Sequence, residues 1–355
     1  MSGRSADKHP WARGDGFRWI GPRDSGDCAC ALEPTSLTRI DAYKNRVAMM
    51  DLPPHVKLQD DQFALPYTFG GLLPEQSAFE RSQVVILPIP YEQTTTYGAG
   101  TRDGPRALIT ASRNLELYDE ELDYDVYQVG IHTLRELETQ ASGPEAMLER
   151  ITEVARELLR HGKFVVGLGG EHTVSVGLVR AFAERFPGLS VLQFDAHADL
   201  RDTYHGTPLN HASVMRRIAE LVPTVQVGIR SLSREEADWI RQRGARPFYA
   251  SQVLQHPEIA TTIANALTDH VYITVCLDAF DPSIMPAVGT PEPGGLGWYD
   301  VLHIARRVAE THHVLGFDVV ELFPIPGNLA PDFLAAKLVY KLLGYRFHAG
   351  TLHSG

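Results

Sequence analysis

Short apolar runs alternate along this chain with amphipathic windows. The runs are continuous in hydrophobicity, which is typical of strands buried on both faces of a sheet. They predict strands at residues 84–88, 164–168, 189–194, 224–228, 272–277 and 314–319. In the windows between them, apolar residues recur at spacings of three and four, as in core-facing helices. These windows predict helices at residues 146–159, 173–186, 212–221, 235–243, 299–311 and 332–343.

The alternation of strand and helix predicts an α/β fold. At this spacing it favours a mostly parallel central sheet with helices on both faces, that is, a three-layer α/β/α sandwich. Residues 1–81 mix Gly, Pro, Asp and Arg without a clear period. We interpret residues 1–81 as an N-terminal extension and residues 82–355 as one large domain.

Composition narrows the class of protein. The 355 residues include 33 Lys and Arg against 44 Asp and Glu, a formal net charge of −11, which disfavours a nucleic-acid partner. The chain has neither an apolar run of about 18 residues nor a signal pattern, so we expect no membrane segment and a cytoplasmic location. Three cysteines do not form a disulfide scaffold for this length. The spacing of Cys28 and Cys30 is too tight for the usual structural zinc pair, so we expect an ordinary surface segment there.

Ionisable residues follow four of the predicted strands, where open parallel sheets bind their ligands. Asp195, His197 and Asp199 follow one strand, and in an extended segment such alternate side chains share a face. Cys276 and Asp278 are related in the same way. Buried carboxylates that lack a counter-charge repel one another, so this cluster predicts a metal site. The alternative is that these residues cap helices or carry solvated charges.

Five motifs, taken in order, resemble those of the ureohydrolase superfamily, which contains arginase, agmatinase and guanidinobutyrase. The resemblance spans about residues 82–345, and residues 94–97 and 100–106 resemble the agmatinase-like branch more than arginase. The five motifs are Gly169-Gly170-Glu171-His172, Asp195-Ala196-His197-Ala198-Asp199, Pro208-Leu209-Asn210-His211, residues 276–295 with Asp281-Pro282 and Gly289-Thr290-Pro291-Glu292-Pro293-Gly294-Gly295, and Gly316-Phe317-Asp318-Val319-Val320-Glu321.

The resemblance implies an arginase-like fold and two divalent metal ions, commonly manganese, bridged by a hydroxide that attacks a guanidinium carbon and releases urea. It implies that His172, Asp195 and Asp199 bind one ion. Asp195, His197 and Asp278 would bind the other.

The resemblance also implies substrate contacts. Glu321 would pair with the guanidinium group, and His211 would assist proton transfer or orient the substrate. Tyr204 and His205 are further candidates at the mouth of the site, and His205 competes with His211 for its role. The alternatives are a structural ion pair for Glu321 and a surface loop position for His211.

One position departs from the superfamily pattern. Cys276 stands where a bridging aspartate is expected. It could act as a thiolate ligand and shift the preferred metal towards nickel, zinc or iron. Its presence could instead mark a metal-deficient subunit that supports an active partner chain, as in some superfamily members that degrade guanidines and biguanides. In a third interpretation Cys276 packs as a small apolar group and one metal remains.

We therefore expect a metal-dependent hydrolase of a guanidino compound such as agmatine, guanidinobutyrate, guanidine or a biguanide. Its cofactors would be two manganese or nickel ions, or fewer because of Cys276. Its partners would be a small cationic guanidino substrate and other ureohydrolase chains in a homo- or hetero-oligomer, a trimer or hexamer, with the extension contributing to assembly. The alternative is a non-catalytic subunit, and a deacetylase-like amide hydrolase fits the motifs less well.

Overall fold

A computed structural model of the protein describes residues 64–256 and 258–352, where strands and helices alternate along the chain. The strands of this region are β1 (Val84–Ile89), β2 (Tyr118–Asp119), β3 (Tyr124–Asp125), β4 (Ile131–Thr133), β5 (Phe164–Gly169), β6 (Leu189–Phe194), β7 (Thr224–Ile229), β8 (Phe248–Tyr249), β9 (His270–Cys276) and β10 (His313–Val320). The α-helices are α1 (Pro74–Ser77), α2 (Gly104–Ser112), α3 (Pro144–Arg160), α4 (Val174–Arg185), α5 (Val214–Ala219), α6 (Arg234–Arg243), α7 (Ala250–Gln255), α8 (Ile259–Asn265), α9 (Trp298–Thr311) and α10 (Ala330–Leu352).

Eight strands form one sheet in the order β4-β1-β5-β10-β9-β6-β7-β8. All neighbouring strands in this sheet are parallel. Helices cover both faces: α2 and α7 to α10 pack on one apolar layer, and α3 to α6 pack on the other. Along β1, Val84 and Ile86 belong to the first layer, whereas Val85 and Leu87 belong to the second. Burial on both faces explains the continuous apolar runs and confirms the predicted three-layer α/β fold.

The six predicted strands and six predicted helices are all present, with shifted ends. One strand end is wrong, because Leu277 begins a 3₁₀ turn, Leu277–Ala279, and does not continue β9. The C-terminal helix is longer than predicted and spans Ala330–Leu352. Four helices, α1, α2, α7 and α8, were not predicted from the sequence. The short strands β2, β3, β4 and β8 were also missed, since segments of two or three residues show no periodicity.

The described part of the predicted extension packs onto the domain. Phe69 and Leu72 are buried, and the Phe69 amide donates to Thr133 Oγ1 at 2.9 Å, next to the edge strand β4. The division of the chain at residue 81 stays a prediction. Cys28 and Cys30 lie outside the described residues. Within the described residues, helices long and apolar enough to cross a bilayer are not found.

A partly buried ion cluster joins Asp119 of β2 and the connection after it to α9 and α10. Lys341 Nζ lies 3.0 Å from Asp119 Oδ1 and 2.5 Å from Glu121 Oε2. Tyr345 Oη donates to Glu121 Oε2 at 2.8 Å, and Arg306 Nη1 lies 2.5 Å from Glu121 Oε1. Burial raises the pKa of Glu121, but its hydrogen bonds to Lys341, Tyr345 and Arg306 outweigh this and lower the pKa to about 2.

Glu121→Gln is expected to lower the free energy of unfolding by about 2 kcal/mol at pH 7, after allowance for the partial exposure of this carboxylate. The pKa of Glu121 is lower in the folded than in the unfolded chain, so its stabilisation is complete above pH about 4.5 and is lost as pH falls towards 2. Chemical denaturation at pH 7 and pH 3 measures this. The exposed neighbour Glu120, changed to Gln, is the control. Equal destabilisation at both pH values would contradict the electrostatic explanation.

Candidate metal centre and active site

The ionisable residues predicted as a cluster meet at the carboxyl ends of β5, β10, β9 and β6, which are adjacent strands at the centre of the sheet. A cavity of about 260 Å³ opens there. Of the residues predicted from the sequence, those that line it are His172, Asp195, His197, Asp199, Tyr204, His211, Cys276, Asp278 and Glu321. Sequence segments more than 100 residues apart are thus brought together, as expected for an open α/β sheet.

Potential metal-ligand atoms form two groups that share one carboxylate. Donor atoms of Asp195, His197 and Asp278 lie within 4.8 Å of one another, and so do those of His172, Asp195 and Cys276. His197 Nδ1 is 3.0 Å from Asp278 Oδ2 and 3.6 Å from Asp195 Oδ1. His172 Nδ1 is 3.0 Å from Asp195 Oδ2. Asp195 therefore lies between two sites that could each hold a cation.

Asp199 lies beside the group of His172, Asp195 and Cys276. Its Oδ2 is 3.2 Å from His172 Nδ1, and its side chain is almost fully buried. Burial and the neighbouring charge of Asp195 raise the pKa of Asp199 to about 7. Since two buried carboxylates this close cannot both stay ionised without a counter-charge, the arrangement fits a cation.

The segment that carries these ligands differs from the extended conformation assumed from the sequence. The strand β6 ends at Phe194, and the chain continues as a loop in which Asp199 has a φ of 52°. A left-handed backbone is unfavourable for a side chain other than glycine, and such strain clusters at functional sites. Asp195, His197 and Asp199 do converge, but through a loop, and the alternation argument for a strand is wrong here. Likewise Cys276 ends β9 while Asp278 lies in the 3₁₀ turn, and they fall into different donor groups.

Hydrogen bonds behind the site set the orientation of His172. The hydroxyl of Thr274 donates to Asp318 Oδ1 at 2.7 Å, so its oxygen can accept from His172 Nε2, which is 3.0 Å away. The proton of a neutral His172 is then on Nε2, and the lone pair of Nδ1 points at two carboxylates. This Nδ1 is buried without a hydrogen-bond partner among the described residues. A lone pair facing carboxylate oxygens is repulsive unless a positive charge lies between them, which is the arrangement of a metal-binding imidazole.

A proton on the imidazole would also supply the positive charge that the neighbouring carboxylates require. Burial lowers the pKa of His172, but the carboxylates of Asp195 and Asp199 outweigh it and raise the pKa well above its ordinary value. For His197, Asp278 and Asp195 likewise overcome burial and raise the pKa to about 12. The neighbouring carboxylates therefore stabilise a positive charge at both imidazoles, whether a proton or a metal ion supplies it.

Glu321 reaches the cavity from the end of β10. Its φ of 69° is left-handed, its amide donates to the carbonyl of Gly170 at 2.8 Å, and its Oε1 accepts from the amide of His172 at 2.7 Å. Burial raises the pKa of Glu321 to about 8. A cationic partner in the cavity would stabilise the ionised form of this buried carboxylate. A planar guanidinium group matches its two oxygens.

His211 lines the same cavity from the opposite loop. Its amide donates to Thr94 Oγ1 at 3.1 Å, and its Nε2 lies 3.4 Å from Thr96 Oγ1. Burial, helped by the nearby His197 and His172, lowers the pKa of His211 to about 4. His211 is therefore neutral near pH 7 and able to accept a proton. His205 is exposed outside the cavity lining and stacks on Tyr204, their ring centroids 4.3 Å apart.

Glu171 fixes the loop that carries Thr94. Its Oε2 accepts from the amides of Gln93 and Thr94, both at 2.7 Å, and its Oε1 accepts from Thr94 Oγ1 at 2.6 Å. The adjacent Gly170 packs so closely on this loop that an added Cβ would lie 2.2 Å from the carbonyl oxygen of Tyr91. Close packing therefore explains why glycines precede Glu171.

Other contributors were not found from the sequence. Thr274 and Asp318 lie in strands behind His172, and neither was given a role from the sequence, although Asp318 belongs to one of the five motifs. Arg230 donates to the carbonyls of Asp278 at 2.8 Å and Glu292 at 2.8 Å, and so joins the ligand turn to the rim of the cavity. The signal that could have found them is a polar residue within an apolar strand run, or directly after one.

Comparisons with known proteins show the family of the chain. A sequence model of the arginase family matches residues 82–344. The N(1)-aminopropylagmatine ureohydrolase of Synechocystis sp. is 43% identical over 280 residues, which cover 76% of this chain and 90% of that protein. The agmatinase of Bacillus subtilis is 30% identical over 268 residues, which cover 74% of this chain and 91% of that protein. The crystal structure of agmatine ureohydrolase of Thermoplasma volcanium matches with a TM-score of 0.72 at 32% identity, over 78% of this chain and 94% of that chain.

The match covers most of the described chain and all the residues predicted for the site. The chain therefore belongs to the arginase family, as an enzyme of the agmatinase-like branch of the ureohydrolase superfamily.

Proposed function

We propose that the protein is a metal-dependent hydrolase of a guanidino compound, which it converts to urea and an amine. The main support for this reaction is the cavity, in which the carboxylate of Glu321 and the two donor groups that share Asp195 face the same space. Relatives named agmatinase and N(1)-aminopropylagmatine ureohydrolase support the reaction class.

The donor set fits two divalent cations, manganese or nickel. His172, Asp195 and Asp199 would hold one, and Asp195, His197 and Asp278 the other. When bound, such ions supply an acidified water as nucleophile and stabilise negative charge near the reacting carbon. The buried Nδ1 of His172, with its lone pair towards carboxylates, is the structural reason to expect a cation there.

The side chains of the protein account for the remaining steps. Glu321 pairs with the guanidinium group and orients its carbon towards the donor groups. Water adds to that carbon, the bond between carbon and the substituted nitrogen breaks, and urea and an amine leave. The departing nitrogen needs a proton. His211, neutral and at the cavity wall, can take a proton from the attacking water and deliver it to this nitrogen.

The direct test is urea and amine release by purified protein loaded with manganese or with nickel. Agmatine, N(1)-aminopropylagmatine, guanidinobutyrate, guanidine and a biguanide form the panel. We expect equal amounts of urea and amine, and the highest kcat/KM for a guanidine with a cationic tail. Absence of urea with every compound, while two ions are bound, would contradict the proposal. A non-catalytic supporting subunit is not favoured, because the other predicted metal ligands and Glu321 are all present in the cavity.

Glu292 at the rim is placed to select such a tail. Its carboxylate accepts from Ser231 Oγ at 3.0 Å, and Ser231 lines the cavity. The side chain is 39% exposed, and Oε1 lies 3.9 Å from His197 Nε2. Arg230 donates to the carbonyl of Glu292, which fixes the backbone that carries this carboxylate. A distal ammonium group of a bound guanidine would meet this carboxylate at the mouth.

Glu292→Gln is expected to lower kcat/KM about tenfold for agmatine and N(1)-aminopropylagmatine, mainly through KM, because one charge-assisted contact is lost. Hydrolysis of n-butylguanidine, which has no distal charge, should stay within about twofold. Steady-state kinetics on both substrate types measures the difference. Glu235→Gln, an exposed position on α6, is the control. An equal loss on both substrates would show that Glu292 instead orients His197.

A further inference from the structure

Cys276 lies inside the candidate metal centre. It ends β9, pairs in register with Val320 of β10, and is 2% exposed. On one side it belongs to the apolar layer that includes Val320. On the other side its sulfur lies among the donor atoms of the cavity. Packing alone would not require a sulfur atom between the apolar layer and the donor atoms of the cavity.

The sulfur completes a three-donor group at one candidate site, and it also lies close to Asp278 of the other group. The donor atoms of Cys276, His172 and Asp195 lie within 4.8 Å of one another, whereas the second group consists of Asp195, His197 and Asp278. Of the three interpretations of Cys276, this grouping favours the thiolate ligand and places it at the His172–Asp195 site. One candidate site combines nitrogen, oxygen and sulfur donors, and the other has nitrogen and oxygen donors.

A second observation points to a ligand at the sulfur-containing site. His172 is 2% exposed, and its Nδ1 has no hydrogen-bond partner among the described residues although it faces Asp195 and Asp199. The bond from its Nε2 to Thr274 leaves the lone pair of Nδ1 pointing into the group. A buried imidazole nitrogen, a carboxylate and a thiol that converge in this way match the donor types of sites for borderline and soft cations.

We propose that Cys276 is a thiolate ligand of the His172–Asp195 site, so that this site selects a thiophilic divalent ion such as zinc, cobalt or nickel over manganese. The inference rests on the metal centre of the proposed function. On binding, the S–H bond of Cys276 breaks, the sulfur lone pair forms the bond to the cation, and the proton passes to solvent. No oxidation state changes. The Asp195–His197–Asp278 site keeps hard and borderline donors, so the two sites are chemically unequal.

Cobalt(II) absorption tests the sulfur ligand without any turnover. A thiolate bound to cobalt(II) gives an intense sulfur-to-metal charge-transfer band in the near ultraviolet, which carboxylate and imidazole ligands do not give. Titration of the metal-free full-length protein should produce this band in step with the binding of one ion. Cys276→Ser and Cys276→Ala should lose the band, and Cys276→Asp should lose it while still binding about two ions, as a two-metal site requires.

The two remaining cysteines supply the matched control. The double variant Cys28→Ser/Cys30→Ser should keep the full band. Circular dichroism and thermal melting establish that each variant is folded. If a Cys276 variant does not fold, the wild-type and double-variant spectra decide the question together.

Three results would overturn the proposal. They are two bound cobalt ions in the wild type without a charge-transfer band, a band that persists in folded Cys276→Ser, and a band that disappears in Cys28→Ser/Cys30→Ser. Competition between manganese and zinc, followed by elemental analysis, should leave one zinc in the wild type and should shift to manganese in Cys276→Asp. Urea release is measured separately, so an inactive protein with the band would contradict the proposed function and leave the ligand assignment intact.

Discussion

Replacing Asp195 by asparagine is expected to remove both metal binding and turnover. Asp195 is the residue shared by the two donor groups. Its oxygens also accept hydrogen bonds, Oδ1 from the amide of His197 at 2.6 Å and Oδ2 from Gln193 Nε2 at 2.9 Å. In asparagine, the amide nitrogen would face one of these donors in either orientation, and the negative charge would be lost. The change therefore disturbs the loop as well as both sites.

For Asp195→Asn we expect kcat/KM to fall at least about a thousandfold, because one preorganised electrostatic group alone is worth about 10²–10³ in rate. Elemental analysis should find metal content reduced from roughly two ions to less than one per chain. Asp238→Asn, at an exposed position on α6, is the matched control and should change neither value. Retention of both ions with activity within tenfold of the wild type would contradict the shared-ligand assignment of Asp195.

Glu321→Gln is expected to separate substrate binding from metal binding. The oxygen that accepts from the His172 amide can be kept by a glutamine, so the backbone around the site should be preserved. The negative charge that pairs with a guanidinium group is lost. We expect kcat/KM for guanidino substrates to fall about 10²–10³-fold while the metal content stays at that of the wild type.

Kinetics and elemental analysis on the same preparation of Glu321→Gln test this. Glu310→Gln, on the exposed face of α9, is the matched control. A parallel loss of metal and activity would mean that Glu321 supports the metal centre and does not bind the substrate. An unchanged kcat/KM would exclude Glu321 from guanidinium recognition.

The fold could be predicted well because its strands are buried on both faces. Runs such as residues 164–168 and 189–194 are apolar throughout, and the windows between them keep a clear helical period. The order of the strands does not follow from these patterns, because buried strands look alike wherever they lie in the sheet. The ribbon of β2 and β3 and the edge strands β4 and β8 were missed, since two or three residues contain no period.

The residues that meet at the candidate centre could be predicted by type and by position after the strands. Their local conformation could not, because left-handed backbone at Asp199 and Glu321 depends on tertiary contacts and not on local preference. The network of Thr274 and Asp318 behind His172 was also missed, since a threonine in a strand is ordinary in sequence. The assignment of Cys276 to one donor group needed coordinates, because spacing alone relates it equally to Asp278.

The position of β10 in the sheet determines when the sheet can form during synthesis of the chain. Among the described residues this strand, at 313–320, is the last along the chain, yet it lies between β5 and β9 at the centre of the sheet. The sheet cannot close until residues 313–320 have left the ribosome. Pairings across such long sequence separations form slowly. Glu321 follows β10, so the carboxylate proposed to bind substrate is the last part of the centre to be synthesised, and a shortened nascent chain lacks it.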